Sequence, residues 1–311
     1  MKKYAVGADI GGSHISCALI DMEDGSIQKE SLSEVYVDNK APADIIINSW
    51  TIALKKTISI ISKDQLTGIG FAMPGPFDYE KGIALFERVE KYESLYNVNV
   101  AERISSVLNL SNGFPVRFMN DATAFAVGEA WIGKAAGYKK SIAITLGTGF
   151  GSAFIESGLP ILEREDVPKL GCVWHLPYKD GIADDYFSTR WFIRSYLAKT
   201  QKSLQGAKDI AELASKGDKI AVNLFQEFGN NLGEFLGNWI KSFNAEVIVI
   251  GGNMTGAYNL FGPSMQIAFN KQKIKVEIHL SELKEDAAII GSARLLDNSF
   301  WKQIKPLLSK M

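Results

Sequence analysis

Cysteine is scarce in this chain, with only Cys17 and Cys172 among 311 residues. That excludes the disulfide framework of a small secreted domain and any structural zinc site built mainly from thiolates. Histidine is nearly as rare, limited to His14, His175 and His279. An excess of one charge is missing too. Against 34 Lys and Arg stand 35 Asp and Glu, a net charge of -1, which argues against a non-specific nucleic-acid binder. No run reaches the roughly 18 apolar residues that a membrane-spanning helix needs. The apolar stretch after Met1-Lys2-Lys3 is cut by Asp9 and Gly11-Gly12, so it makes no signal-peptide core, and a cytoplasmic protein is expected. There is no Gly-x-x-x-x-Gly-Lys-Ser/Thr loop, and no Pro-rich or low-complexity tract.

What is present is an ordinary globular composition, 46% apolar and 22% charged, at a length that suits two domains or one large one. Many of the 28 glycines sit in short turns between apolar runs. Tyr4 to Ile10 and Ile15 to Ile20 read as a hairpin about Gly11-Gly12. Ile46, Trp50, Ala53, Leu54, Thr57, Ile58 and Ile61 recur at helical spacing. Leu66 to Ala72 reads as a buried strand ended by Pro74-Gly75-Pro76, and Val100 to Leu108 as a helix. Pro115 to Met119 reads as a strand leading into a helix over Ala122 to Trp131. Ser141 to Leu146 and Ser152 to Glu156 flank a glycine turn, Gly147 to Gly151. A long helix is predicted near Lys219 to Phe243, with Leu224, Phe228, Leu232, Phe235 and Trp239 along one side. A strand over Glu246 to Ile250, a helix near Tyr258 to Phe269, a strand over Lys275 to Leu280 and closing helices complete an α/β chain. Val6 to Ala18 and Ala143 to Phe154 share one plan, as a duplicated hairpin or two similar hairpins would.

Four constellations carry chemistry. Asp9-Ile10-Gly11-Gly12-Ser13 suits a phosphate cradle with an Asp able to hold Mg²⁺ through water, or a plain turn with a solvated Asp. Gly147-Thr148-Gly149-Phe150-Gly151 suits a second cradle or a glycine-rich β-turn. It is not the dinucleotide fingerprint, because a strand and not a helix follows. At a strand-to-helix junction, Asn120-Asp121 supplies a general base and a substrate partner, or an N-cap and a turn residue. Gly251-Gly252-Asn253 admits a flat base or ribose, or makes a tight turn.

In this order along one chain, the motifs resemble the sugar-kinase, actin and heat-shock ATPase superfamily. The nearer match is the ROK family of repressors, open reading frames and sugar kinases. Asp9 to Ala18 resembles its first phosphate motif and Ala72 to Asp78 its sugar-side turn. Asn120 to Ala124, with Gly128-Glu129, is similar to its catalytic segment. Leu146 to Gly151 resembles the second phosphate motif, Val249 to Asn253 the adenosine motif and Asp286 to Ala293 the closing helix. The matches run from residue 5 to about 296.

The resemblance implies a ribonuclease H-like, actin-like ATPase fold with two α/β lobes facing a central cleft. The small lobe is expected over residues 1–116 with 287–311, and the large lobe over 117–286. It implies an ATP- and Mg²⁺-dependent kinase acting on a hydroxyl of a hexose or N-acetylhexosamine, with Asp121 as general base. Asp9, Gly11, Gly12, Ser13, Gly147, Thr148, Gly149, Gly251 and Gly252 would serve nucleotide and Mg²⁺. Gly75, Asn120, His175 and Asp184 would orient the sugar. A homodimer is implied, with no nucleic-acid or membrane partner.

The chain departs from the family at one stretch. Family members carry Glu-x-Gly-His and then a zinc-binding cysteine cluster. Here Gly171-Cys172-Val173-Trp174-His175 occupies the first place, with Cys172 where the sugar-binding Glu would be. The cysteine cluster is missing, so no zinc is expected. Asp184 stands in for a second sugar-binding Glu. A thiol is a poor substitute for a carboxylate toward sugar hydroxyls, which leaves the choice of sugar open. The alternative is a non-catalytic sugar- or nucleotide-binding regulator. A repressor needs a DNA-binding domain ahead of the first motif, which begins at residue 9.

Overall fold

The structure, a computed structural model, describes residues 3–311. Its residues form two units. The first runs to Ala136 and takes in Gly158–Pro160 and Glu285–Met311; the second comprises Gly137–Ser157 and Ile161–Lys284. Residues 117–136, which the sequence reading gave to the large lobe, lie in the first unit.

The first unit is built on a mixed sheet. Strands β1 (Tyr4–Ile10), β2 (His14–Asp21) and β3 (Ile27–Tyr36) form an antiparallel meander, and β4 (Leu66–Met73) and β5 (Val116–Asn120) add in parallel, in the order β3-β2-β1-β4-β5. β1 and β2 are buried almost throughout, as expected of near-continuous apolar strands covered on both faces. Helix α1 (Ala43–Ile58) turns Ile46, Ile47, Trp50, Ala53 and Leu54 inward. Helix α2 (Val100–Val107) is capped by Asn99, which accepts from the Glu102 N–H at 3.1 Å.

β3 was not anticipated. Its inward residues are Ser31 and Ser33, while Leu32 between them is 48% exposed. At Ser31 the inverted pattern is supported by hydrogen bonds, while the buried Ser33 hydroxyl has no partner among the described residues. Ser31 Oγ accepts the Leu19 N–H at 2.7 Å and donates to the Gln28 carbonyl, and Thr57 donates to the Ser31 carbonyl.

The second unit carries β6 (Lys140–Leu146), β7 (Phe150–Glu156), β8 (Val247–Gly251) and β9 (Glu277–Leu280), ordered β7-β6-β8-β9. β6 and β7 are antiparallel, and β8 and β9 add in parallel. The internal echo seen in the sequence thus has a counterpart in topology: each sheet has a glycine-linked hairpin with parallel strands beside it. The glycine turn is shorter than expected, since Phe150 and Gly151 already pair with Leu146 and Thr145.

Further helices are α4 (Thr189–Thr200), α5 (Ala207–Ser215), α6 (Lys219–Phe243) and α7 (Tyr258–Lys271). α6 begins where Asp218 caps the Ala221 N–H at 2.8 Å, and it ends at a left-handed Asn244. Its buried side holds Leu224, Phe225, Phe228, Leu232, Leu236 and Ile240. Phe228 meets the rings of Phe187, Trp191, Phe192 and Phe261. Each such side chain contributes ~1.5–3 kcal/mol of burial, so this aromatic cluster anchors the second unit. Helices α8 (Asp286–Ala293) and α9 (Asn298–Ile304) close the first unit. Among the described residues no helix is long and apolar enough to cross a membrane.

Candidate active site

Strand register organises the first unit's chemistry. Asp9 in β1 pairs with Ala72 in β4, and Ala72 pairs with Met119 in β5. The C-terminal ends of three parallel strands therefore deliver Asp9, the Pro74-Gly75-Pro76 turn and Asn120-Asp121 to one edge of the sheet. Ligands of α/β sheets gather at that edge. The Gly75-Pro76 peptide bond is cis. Tyr79 ties the turn to the next strand: its phenol donates to the Met73 carbonyl at 3.0 Å, and Asn120 Nδ2 reaches its oxygen at 3.4 Å.

Asn120, not Asp121, is the N-cap of α3 (Asp121–Trp131), its Oδ1 accepting from the Thr123 N–H at 3.2 Å. Asp121 is the first helical residue, placed where the helix dipole favours a negative charge. Its Oδ1 accepts from the Ala122 N–H at 2.8 Å and from Asn120 Nδ2 at 3.0 Å. Its Oδ2 has no partner among the described residues, so the side chain is held by one oxygen and leaves the other available.

At the β1–β2 turn, the Gly11 N–H donates to the His14 carbonyl at 2.9 Å. Gly12 and Ser13 are exposed, and their N–H groups have no acceptor among the described residues. Behind the turn, the Asp9 carboxyl is pushed up to about 7, first by burial and then by the charges of Asp121 and Glu285.

The second unit's glycine loop is braced from outside. Thr189 N–H donates to the Gly147 carbonyl at 2.8 Å, and Gly147 N–H to the Gly149 carbonyl at 3.1 Å. Asp184 Oδ1 accepts the Phe150 N–H at 2.7 Å, while its Oδ2 accepts from Arg190. Thr148 and Gly149 remain exposed. β8 lies parallel to β6 with Gly251 opposite Thr145, so the Gly251-Gly252 turn leaves the sheet beside this loop. Gly252 has φ +83°, and a Cβ there would lie 2.3 Å from the Leu146 carbonyl oxygen. Only glycine fits so close to that backbone.

Asp184 thus spends both carboxylate oxygens on the loop and Arg190. Replacing Asp184 with Ala is expected to leave the Phe150 N–H and Arg190 without their charged acceptor and to cost about 1–3 kcal/mol of stability. Urea unfolding checks this; an unchanged midpoint would show that the loop holds its shape without Asp184.

Cys172 is half-buried, with Sγ 3.7 Å from His175 Nδ1. Burial pushes its thiol up to about 11, so it stays protonated at neutral pH and makes no nucleophile. His175 is also half-buried. Burial, and then the Lys169 charge, holds its pKa below the usual histidine value, which favours the neutral ring. Trp174 beside it is exposed, and its carbonyl accepts the Asp184 N–H at 3.0 Å. No three His, Cys, Asp or Glu side chains among the described residues are grouped so as to share a metal ion.

Sequence reasoning missed Arg190, which bonds Asp184, and Glu285, whose charge acts on Asp9. Neither sits in a recognisable motif, and each reaches its partner only through the fold.

Two sheets with glycine-linked hairpins, each flanked by parallel strands with helices, define an actin-like ATPase fold. The ROK family profile matches residues 5–299, and the chain belongs to that family. A glucokinase from Thermotoga maritima is 28% identical, with 95% of this chain and 98% of that protein covered. An N-acetyl-D-glucosamine kinase from Haemophilus influenzae is 26% identical over 80% of this chain and 84% of its own length. A putative xylose repressor from Caldicellulosiruptor is 22% identical over 94% of this chain and 77% of its own length. Among solved structures, the ROK glucokinase of Streptomyces griseus in complex with glucose and AMPPNP aligns with a TM-score of 0.71. It is 23% identical, and the alignment covers 94% of this chain and 98% of that one.

Proposed function

We propose that the protein transfers the γ-phosphoryl group of ATP to a hydroxyl of a hexose or N-acetylhexosamine. The observation that carries this is Asp121: a carboxylate fixed through Oδ1, with Oδ2 unclaimed, at the strand edge that also holds Asp9 and adjoins the Gly11-Gly12-Ser13 turn. The relatives named as glucokinase and N-acetyl-D-glucosamine kinase support the substrate class.

Phosphoryl transfer asks for positioning and charge neutralisation more than for covalent chemistry. Asp121 accepts the proton of the attacking hydroxyl. In the first unit, Asn120 and Gly75 suit a sugar, and the free N–H groups of Gly12 and Ser13 suit phosphate oxygens. In the second unit, the loop Gly147-Thr148-Gly149 suits phosphate oxygens, Gly251-Gly252 suits a nucleoside and His175 suits a sugar hydroxyl. A hydrated Mg²⁺ fits at Asp9, because a carboxyl that ionises reluctantly among like charges gains most from a nearby cation. Asp9 is one carboxylate rather than part of a cage, which suits an ion that keeps its waters. When bound, Mg²⁺ would offset phosphate charge.

A coupled ATP-consumption screen over hexoses, N-acetylhexosamines and polyols tests this reading. At least one hexose or N-acetylhexosamine is expected to be turned over, and Asp121→Asn serves as the control. Turnover of none, with sugar binding retained, would instead favour a non-catalytic regulator. Cys172 in place of a carboxylate and the repressor relative already speak for that second reading.

A further inference from the structure

The first glycine turn is held from behind by a segment far away in sequence. Each of its three carbonyls is claimed. Tyr92 donates its phenol to the Gly11 carbonyl at 2.6 Å, Asn39 Nδ2 donates to the Gly12 carbonyl, and the Val37 N–H donates to the Ser13 carbonyl at 2.8 Å. The two side-chain holders are themselves joined, since the Tyr92 N–H donates to the Asn39 carbonyl at 2.8 Å.

A carbonyl pinned on one side of a turn fixes the peptide planes, and with them the direction of the N–H groups on the other side. Those N–H groups, on Gly12 and Ser13, are the ones left free. Tyr92 is also expensive to keep as it is. It is fully buried in a left-handed conformation, φ 59° and ψ 19°, which costs a non-glycine residue about 1–2 kcal/mol. Arg88 and Glu90 in the same loop share the positive φ. The rings of Trp50 and Phe86, with centroids 5.6 and 5.8 Å away, fix the phenol's place. Burial raises its pKa, so it remains a donor across the working pH range.

We propose that Tyr92 and Asn39 are positioning residues for the nucleotide's phosphates: they set the aim of the Gly12 and Ser13 N–H groups by holding the carbonyls behind them. This rests on the reading of Gly11-Gly12-Ser13 as a phosphate loop. Both residues bond the turn through its carbonyls, so each acts on affinity through the turn.

The test compares full-length wild type with Tyr92→Phe, which removes one oxygen, and with Asn39→Ala. Calorimetric titration with AMPPNP and Mg²⁺ reads nucleotide binding without turnover. Both variants should raise the Kd about fivefold, the scale of one lost hydrogen bond. The KM for ATP should rise by the same factor while the sugar KM stays within about twofold. A folded Tyr92→Phe protein with wild-type nucleotide Kd overturns the proposal, even if its melting temperature falls, and so does a shift confined to the sugar KM. If Tyr92→Phe does not fold, Asn39→Ala decides by the same readout. Should wild type phosphorylate no sugar, the Kd comparison still stands by itself, so failure of the kinase reading and failure of this one remain distinct.

Discussion

Asp121→Asn should bind nucleotide as wild type does and phosphorylate sugar about a thousandfold more slowly, within the range that general base catalysis supplies. The substitution is nearly isosteric. An asparagine carbonyl oxygen can still accept from the Ala122 N–H and from Asn120 Nδ2, the two bonds that now hold Asp121. The start of α3 should therefore keep its geometry and the protein its melting temperature. What is lost is the unclaimed Oδ2, replaced by an amide that donates protons and cannot take one at neutral pH. The coupled assay measures kcat, and AMPPNP titration measures binding. A variant that keeps even a tenth of wild-type turnover would remove Asp121 as the base.

Gly291→Ala should cost about 3 kcal/mol or more, at the upper end for overpacked cores. α8 crosses α3 with backbone against backbone. A Cβ on Gly291 would lie 1.8 Å from the Ala124 carbonyl oxygen, and one on Gly128 would lie 2.0 Å from that of Ala287. Neither obstacle is a side chain that could swing aside, so the two helices must separate. α3 carries Asp121 one turn before Ala124, and a shift of about 1 Å at a reacting group costs on the order of a hundredfold in rate. Thermal and urea unfolding should show the lost stability, and kcat should fall with it. Gly12→Ala is the contrast, since no atom lies within 4 Å of its Cβ position and its melting temperature should not move. If Gly291→Ala melts with wild type, the helices have slack that their present separation does not indicate.

The elements that sequence reasoning found are those whose local pattern and tertiary duty agree. The hairpin at Gly11-Gly12, the buried strand from Leu66 and the long helix Lys219–Phe243 all show apolar periodicity that matches their burial. Boundaries moved where pairing partners decide them. β7 starts at Phe150 because Leu146 is there to pair with it, and the last strand starts at Glu277 and not Lys275. α4 and α5, and the strand with inward serines, left no clear trace. Their inward faces are set by what β2 and the aromatic cluster present to them.

The candidate site divides in the same way. Gly11, Gly12, Gly147, Gly149, Gly252 and the Asn120-Asp121 pair were legible because their chemistry is local: a turn without side chains, or a carboxylate at a helix start. The assignment of the N-cap to Asn120, the commitment of Asp184 to the second glycine loop and the hold of Tyr92 on the first were not. Each joins residues between 3 and 81 positions apart through a single hydrogen bond, and no periodicity or motif encodes such a bond. By itself, the sequence determined the family, through the order of its motifs, and the α/β class, through its alternating apolar runs; its paired glycines also marked the turns with the backbone freedom that a phosphate loop needs. Only the tertiary structure decided which donors hold those loops and which carboxylate oxygen is left free, because packing alone brings distant side chains within reach of a particular carbonyl.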